Sequence, residues 1–326
     1  MGMRPRPLPD ELASGPFSTV RARELGLPAM RVYRSDLVHP THGAHSLTEP
    51  VTLAERAVAY AAGMPSARAF SHVTAALLLG LPLPMRLEAE APSAGLHVMA
   101  PTSDGWVERA GCVGHRGLES RRTTTVQGIA VVSAADTWCD LGELRRGTVD
   151  VDDLVVAGDA AVALIDARSG VRVRSGSVTS PGVRALHEAL HSRVRPRGKV
   201  MLAEALRLVR PRVASPMETR SRLMFVRAGF PEPEVNGVVV DEAGEFVAEA
   251  DLLWRSRRVV AEYQGAPHAE IRRRSGDEVR RRRLEALGHT VREIFSEDVH
   301  RTPRRVETLL FMARALDVDP ATLLIA

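Results

Sequence analysis

Residues 249–265 read EADLLWRSRRVVAEYQG. Two apolar runs, ADLLW and VVAEY, flank a short polar turn, RSRR, which is the pattern of two neighbouring strands. Each run carries a carboxylate, Asp251 and Glu262, where a buried strand disfavours one. Side chains alternate along a pleated strand, so Glu249, Asp251 and Leu253 are expected on one face. On the next strand Glu262 and Gln264 share a face, and Ala261 and Tyr263 point to the other. With Asp251 and Glu262 on the same side, two like charges converge and repel unless a cation lies between them. Oxygen-only ligands of this kind suit Mg²⁺ (or Mn²⁺), an ion that can activate a water and stabilise a phosphodiester transition state.

The flanking sequence extends this pair into a compact unit. SPMETRSRLMFVRAGF has Met217, Arg220/Ser221, Met224 and Ala228 at helical spacing, with Gly229 as C-cap. PEPEVNGVVV, the turn DEAGE and the two quoted runs then form a three-strand meander. The arginine-rich SGDEVRRRRLEALG is helical, TVREIF is a strand and PRRVETLLFMARAL a last helix. The expectation over 213–326 is therefore a mixed-sheet α/β domain.

These residues resemble the PD-(D/E)XK nuclease superfamily. An acid pair spaced D-x10-E-x-Q on adjacent strands, a glutamate on the preceding helix in ETRSR, and YQG followed by His268 carry the likeness. Its nearest branch is the one similar to very-short-patch-repair endonucleases, over about residues 213–316. The resemblance implies that Asp251, Glu262 and Glu218 bind the metal and that Gln264 stands where a lysine usually stands. It also implies a restriction-endonuclease-like fold and DNA as substrate. Lys199 is the chain's single lysine, so none follows it to take that place. Gln264 can hydrogen-bond a water without adding charge, which leaves neutralisation to an arginine or the metal.

Towards the N-terminus, residues 10–48 give helix, tight turn, second helix and a small hairpin, the outline of a winged helix-turn-helix. Arg31, Arg34 and Arg23 would then meet phosphate or base edges of DNA. Residues 49–165 form a middle α+β region, with two buried helices in 50–85 and short strands in 95–135. Residues 166–212 read as a helical connector. FSTVRARELGL, DLVHPTHGAH and HVTAALLLGLPLP together resemble the winged-helix region of AbiEi-type antitoxins, which act as transcriptional repressors. That likeness implies a toxin or homodimer partner.

Composition sets the frame. Of 326 residues 44% are hydrophobic, enough for a packed core, and no apolar run reaches the ~20 residues of a membrane span. MGMRPRPLPDE lacks the apolar stretch of a secretory signal, and two cysteines, Cys112 and Cys139, make no disulfide framework, so a cytoplasmic setting is expected. Net charge is +4, and its carriers are almost all arginine. Either base composition or the fit of guanidinium to phosphate explains that bias.

Bland readings stand beside each functional one. Ser215-Pro216-Met217-Glu218 is also a capping box. Asp251 could pair with Arg255 or Arg257. His268 is a phosphate contact or an ordinary loop histidine. Arg280, Arg281, Arg282 and Arg283, with Arg272–Arg274, track a DNA backbone or are a solvated helix face. His39, His42 and His45 lie in the wing without a cysteine, and His187 and His191 lack a zincin acid, so neither group reads as a zinc site. Trp106, Trp138 and Trp254 read as core or interface. The expected function is Mg²⁺-dependent DNA hydrolysis coupled to a winged-helix module; the rival is a non-catalytic DNA-binding regulator with a degenerate nuclease domain.

Overall fold

The computed structural model describes residues 7–265 and 271–325, side chains of 271–277 excepted. His268 lies outside the described residues, as do the side chains of Arg272–Arg274. The chain is a mixed α/β protein of two compact units, Met1–Val149 with Arg193–Gly198, and Asp150–Ser192 with Lys199–Ala326. Among the described residues no helix is long and apolar enough to cross a membrane.

The first unit opens with the short helix α1 (Asp10–Ala13), then β1 (Phe17–Ser18) and α2 (Thr19–Glu24). Ser18 Oγ caps α2 by accepting the Arg21 N–H at 3.0 Å. The expected second helix is a five-residue 3₁₀ turn, Ala29–Tyr33, started by Pro28. A hairpin of β2 (Val38–Thr41) and β3 (Ala44–Ser46) follows, giving a three-stranded sheet ordered β1-β3-β2. Arg31 departs from its expected role: it is buried, and its guanidinium forks onto Asp36 at 3.0 and 2.7 Å. It turns inward because the 3₁₀ turn places Val32 and Arg31 on the core side, leaving Arg34 exposed.

Next come α3 (Leu53–Ala62), capped by a Thr52–Glu55 box, β4 (Ala69–Phe70), α4 (His72–Leu78) and α5 (Met85–Glu90). Strands β5 (Leu96–Ala100), β6 (Cys112–Arg116), β7 (Thr123–Val126) and β8 (Ile129–Val132) complete a mixed five-stranded sheet ordered β6-β5-β4-β8-β7. Helix α6 (Ala134–Gly142) is wholly buried and carries Asp136, Asp140 and Trp138. Arg193, reaching back from the 193–198 segment, meets Asp140 at 2.7 Å and Glu143 at 2.8 Å. Trp138 is core as expected, whereas Trp106 is exposed, with Arg116 over its ring at 5.7 Å.

The second unit begins earlier than the sequence reading placed it. Helix α7 (Val151–Ser169), expected to close the middle region, packs instead with α8 (Pro181–His191), α9 (Lys199–Leu208) and α10 (Pro216–Arg227). Its buried Asp159 accepts from Thr219 Oγ1 at 2.8 Å and from the Arg210 N–H at 2.7 Å, beside the fully buried Arg222. A polar anchor of this kind is satisfied only when these helices stay together. Beyond α10 run β9 (Glu234–Val240), β10 (Phe246–Trp254), β11 (Val259–Tyr263), α11 (Ile271–Ala286), β12 (Thr290–Ile294), α12 (Ser296–His300) and α13 (Thr302–Leu316).

Strands β9, β10 and β11 form an antiparallel meander, and β12 joins β11 in parallel, so the order is β12-β11-β10-β9. A parallel neighbour needs a crossover, which α11 supplies. One core, with Phe225, Leu252, Trp254, Ala261, Ile294 and Met312, lies on one side. A smaller one, with Ala248, Ala250, Leu253, Val260 and Leu284, lies on the other. Ala250 and Leu253 thus share a cluster while Leu252 belongs to the opposite one. The strict alternation expected for Glu249, Asp251 and Leu253 is broken beside Asp251. Its register neighbour on β9, Asn236, has φ 45°, and a Cβ on Gly237 would fall 2.7 Å from Leu253 Cβ. Glycine at 237 is what lets β9 and β10 close at this irregular point.

Candidate functional site

The pairing of β10 with β11 runs Leu252↔Ala261, Leu253↔Val260 and Trp254↔Val259. Asp251 and Glu262 are the residues that follow directly on the Leu252↔Ala261 pair. The backbone N–H of Tyr263 donates to Asp251 Oδ2 at 2.7 Å. Burial nevertheless pushes the Asp251 carboxyl up to about 7, with Glu218 and Glu262 adding repulsion and Arg280 partly offsetting it.

Glu218 comes from the first turn of α10. Its N–H donates to Ser215 Oγ at 3.2 Å, so Ser215 is the N-cap. The Glu218 carboxylate does not close the capping box on Ser215; it accepts the Ala214 N–H at 2.9 Å and Asn236 Nδ2 at 2.8 Å. That position leaves it buried and within electrostatic range of Asp251. Glu262 is 4% exposed, and Arg280 Nη2 of α11 donates to its Oε2 at 3.1 Å. Gln264 continues the parallel ladder past Tyr263, its N–H donating to Ile294 O at 2.7 Å.

Four elements, α10, β10, β11 and α11, therefore bring three carboxylates and one guanidinium together. The alternative partners of Asp251 are engaged elsewhere: Arg255 with Glu234 at 2.6 Å and Arg257 with Asp317 at 3.3 Å. Glu218 and Glu262 both act on the buried Asp251 carboxyl, and oxygen donors of this kind are the ones a hard divalent cation takes.

The arginines of α11 divide. Arg280 turns to Glu262, where the sequence reading had it facing a DNA backbone. Arg281 meets Glu285 at 2.9 Å and Arg282 meets Glu278 at 2.9 Å, both i,i+4 pairs, while Arg283 is exposed. Arg280 as a member of the acid cluster was not legible, because helix rotation decides which of four consecutive arginines turns inward.

In the first unit, His39 Nδ1 and His45 Nδ1 lie 3.0 Å apart and His45 Nε2 meets Thr19 Oγ1 at 2.8 Å. His187 and His191 are exposed, their rings stacked at 5.9 Å. A different group, His72, His97 and His115, escaped the sequence reading because its members are separated along the chain and follow no ligand spacing.

Two uncharacterized proteins from two strains of Mycobacterium tuberculosis are each 34% identical to this chain over 122 residues. The aligned part is 37% of this chain and spans 44% of theirs. No protein-family model matches the chain, and no solved structure matches it.

Proposed function

We propose that the C-terminal unit is a divalent-metal-dependent endonuclease acting on DNA, on a restriction-endonuclease-like fold. The observation that carries this reading is that Glu218 and Glu262 both act on the buried Asp251, whose carboxyl burial pushes up to about 7. Asp251 and Glu262 would hold Mg²⁺ or Mn²⁺, and Glu218 would support it or its water. The ion, when bound, supplies a polarised water and charge stabilisation for phosphodiester hydrolysis. Gln264 would orient the nucleophile by hydrogen bonding. Arg280 would provide the positive charge that a lysine provides in the superfamily, since its guanidinium already lies on Glu262. The first unit would act as a winged-helix, antitoxin-like DNA-binding module, with Arg34 and Arg23 on its exposed surface.

One observation favours the second reading, a non-catalytic DNA-binding regulator. Arg280 occupies Glu262, and Arg281 and Arg282 are paired with acids on the protein itself. A toxin or a second copy of the chain would then be its partner.

The deciding experiment incubates the full chain with Mg²⁺ or Mn²⁺ and supercoiled plasmid, single strands or mismatched duplex, with Glu262→Ala and Asp251→Asn as controls. Metal-dependent cutting by the wild type, lost in both variants, is the expected result. Salt-sensitive binding, equal in all three proteins and without cutting, would replace the nuclease reading with the regulator.

A further inference from the structure

Three imidazoles meet inside the first unit. His72 is the first residue of α4, His97 lies on β5 and His115 on β6. In the β5–β6 register Met99 faces His115, so His97 and His115 are two residues apart along parallel strands and share a face. Their potential ligand atoms, one from each ring, all lie within 4.8 Å of one another. His97 Nδ1 and His115 Nε2 are already 2.9 Å apart. The rings of His72 and His115 stack with centroids at 3.7 Å.

Several details fix this arrangement. His72 has φ 48°, in the left-handed region that a non-glycine residue rarely adopts. The buried Ser71 Oγ lies 3.0 Å from His72 Nδ1, which leaves Nε2 of that ring for another partner. The N–H of His97 donates to Thr74 Oγ1 at 2.8 Å, tying β5 to α4. Burial holds His72 well below its ordinary range and His97 and His115 at about 4. All three are then neutral near pH 7, the state in which imidazole offers a lone pair to a metal. Arg121 and Arg193 also act on His72, but both are clamped by acids: Arg193 by Asp140 and Glu143, Arg121 by Asp140 at 3.0 Å.

We propose that His72, His97 and His115 form a binding site for a transition-metal ion of the zinc class, with a fourth position for water or an anion. Three nitrogen donors select such an ion over Mg²⁺, which takes oxygen. Around a tetrahedral ion with ~2.05 Å bonds, donor atoms stand about 3.3 Å apart. The His97–His115 separation therefore opens by a few tenths of an ångström, and the ion replaces their shared hydrogen bond. This site is independent of the carboxylates of the second unit.

The test uses the full chain, stripped with a chelator and titrated with Co²⁺ as a spectroscopic probe, then with Zn²⁺ in competition. One equivalent of Co²⁺ should produce saturable visible bands of nitrogen-and-oxygen ligation, and Zn²⁺ should abolish them. His97→Ala and His115→Ala should each weaken binding by more than about 100-fold, beyond the ~10–100-fold usual for loss of an outer-shell partner. The His39→Ala, His42→Ala double variant should bind like wild type. Absence of a saturable band in the wild type overturns the proposal without any variant having to fold. So does a band that survives His97→Ala, or one lost only in the His39, His42 variant.

Discussion

Arg280 Nη2 donates to Glu262 Oε2 across 3.1 Å, joining the crossover helix to the strand that carries the second acid. The arginine side chain is 35% exposed and the glutamate 5%, so the cation reaches inward from solvent to a carboxylate that cannot reach out. Either this guanidinium or a divalent ion can balance Glu262, and the competition between them is measurable.

Replacing Arg280 by alanine should destabilise the second unit by about 1–3 kcal/mol, the cost of leaving a buried charged acceptor without that donor. Saturating Mg²⁺ should restore more stability to Arg280→Ala than it adds to the wild type, because the ion no longer competes. Thermal unfolding of both proteins with and without Mg²⁺ checks this. An identical Mg²⁺ shift in the two would show that ion and arginine do not share Glu262.

Asp251 gives a pH dependence of definite sign. Burial pushes its folded carboxyl up to about 7, against an ordinary value of ~3.9. Between those values the folded chain keeps a proton that the unfolded chain has lost. Without metal, the contribution of Asp251 to stability therefore falls as pH rises through this window and is lowest above 7. Asp251→Asn removes the charge while keeping the shape. The variant should be more stable than wild type at pH 8, on the order of 1–3 kcal/mol, and equal to it near pH 4. Denaturant unfolding across pH, read as the difference between the two proteins, cancels Asp140, Asp159 and the buried histidines. A difference that does not change with pH would show that Asp251 ionises normally.

The buried Arg193 is the corresponding charge of the first unit. It donates to Asp140 Oδ1, whose carboxyl burial still pushes up to about 6, and to the Asp136 carbonyl at 2.6 Å. Arg193→Met should cost about 3–5 kcal/mol, since removing one partner strands the others in the core. Adding Asp140→Asn should recover part of the loss. Urea unfolding followed at Trp138, buried on the same helix, gives both values, and strictly additive effects would show that the two residues are not coupled.

Much of the second unit's layout was readable in the linear pattern. The apolar runs ADLLW and VVAEY, joined by RSRR, return antiparallel, and that turn brings the ends carrying Asp251 and Glu262 side by side. Gly229 and the Ser215 cap likewise marked the ends of α10, because caps are local chemistry. What failed were statements about direction. Arg31 was expected outward and lies inward on Asp36. Arg280 was expected on DNA and lies on Glu262. A guanidinium satisfies either address, and only the neighbouring acids, fixed by packing, choose between them.

The order of helices and strands, the spacing of the two strand acids and the lack of lysine after Lys199 are all set by the linear chain. These depend on backbone periodicity and caps, which act over a few residues. Packing, by contrast, put Glu218 where it acts on Asp251 and joined α7 to the second unit. It alone brought His72, His97 and His115 within 4.8 Å. Contacts of that kind form between segments with no shared periodicity, when burial of two cores closes the sheets and carries their polar side chains along.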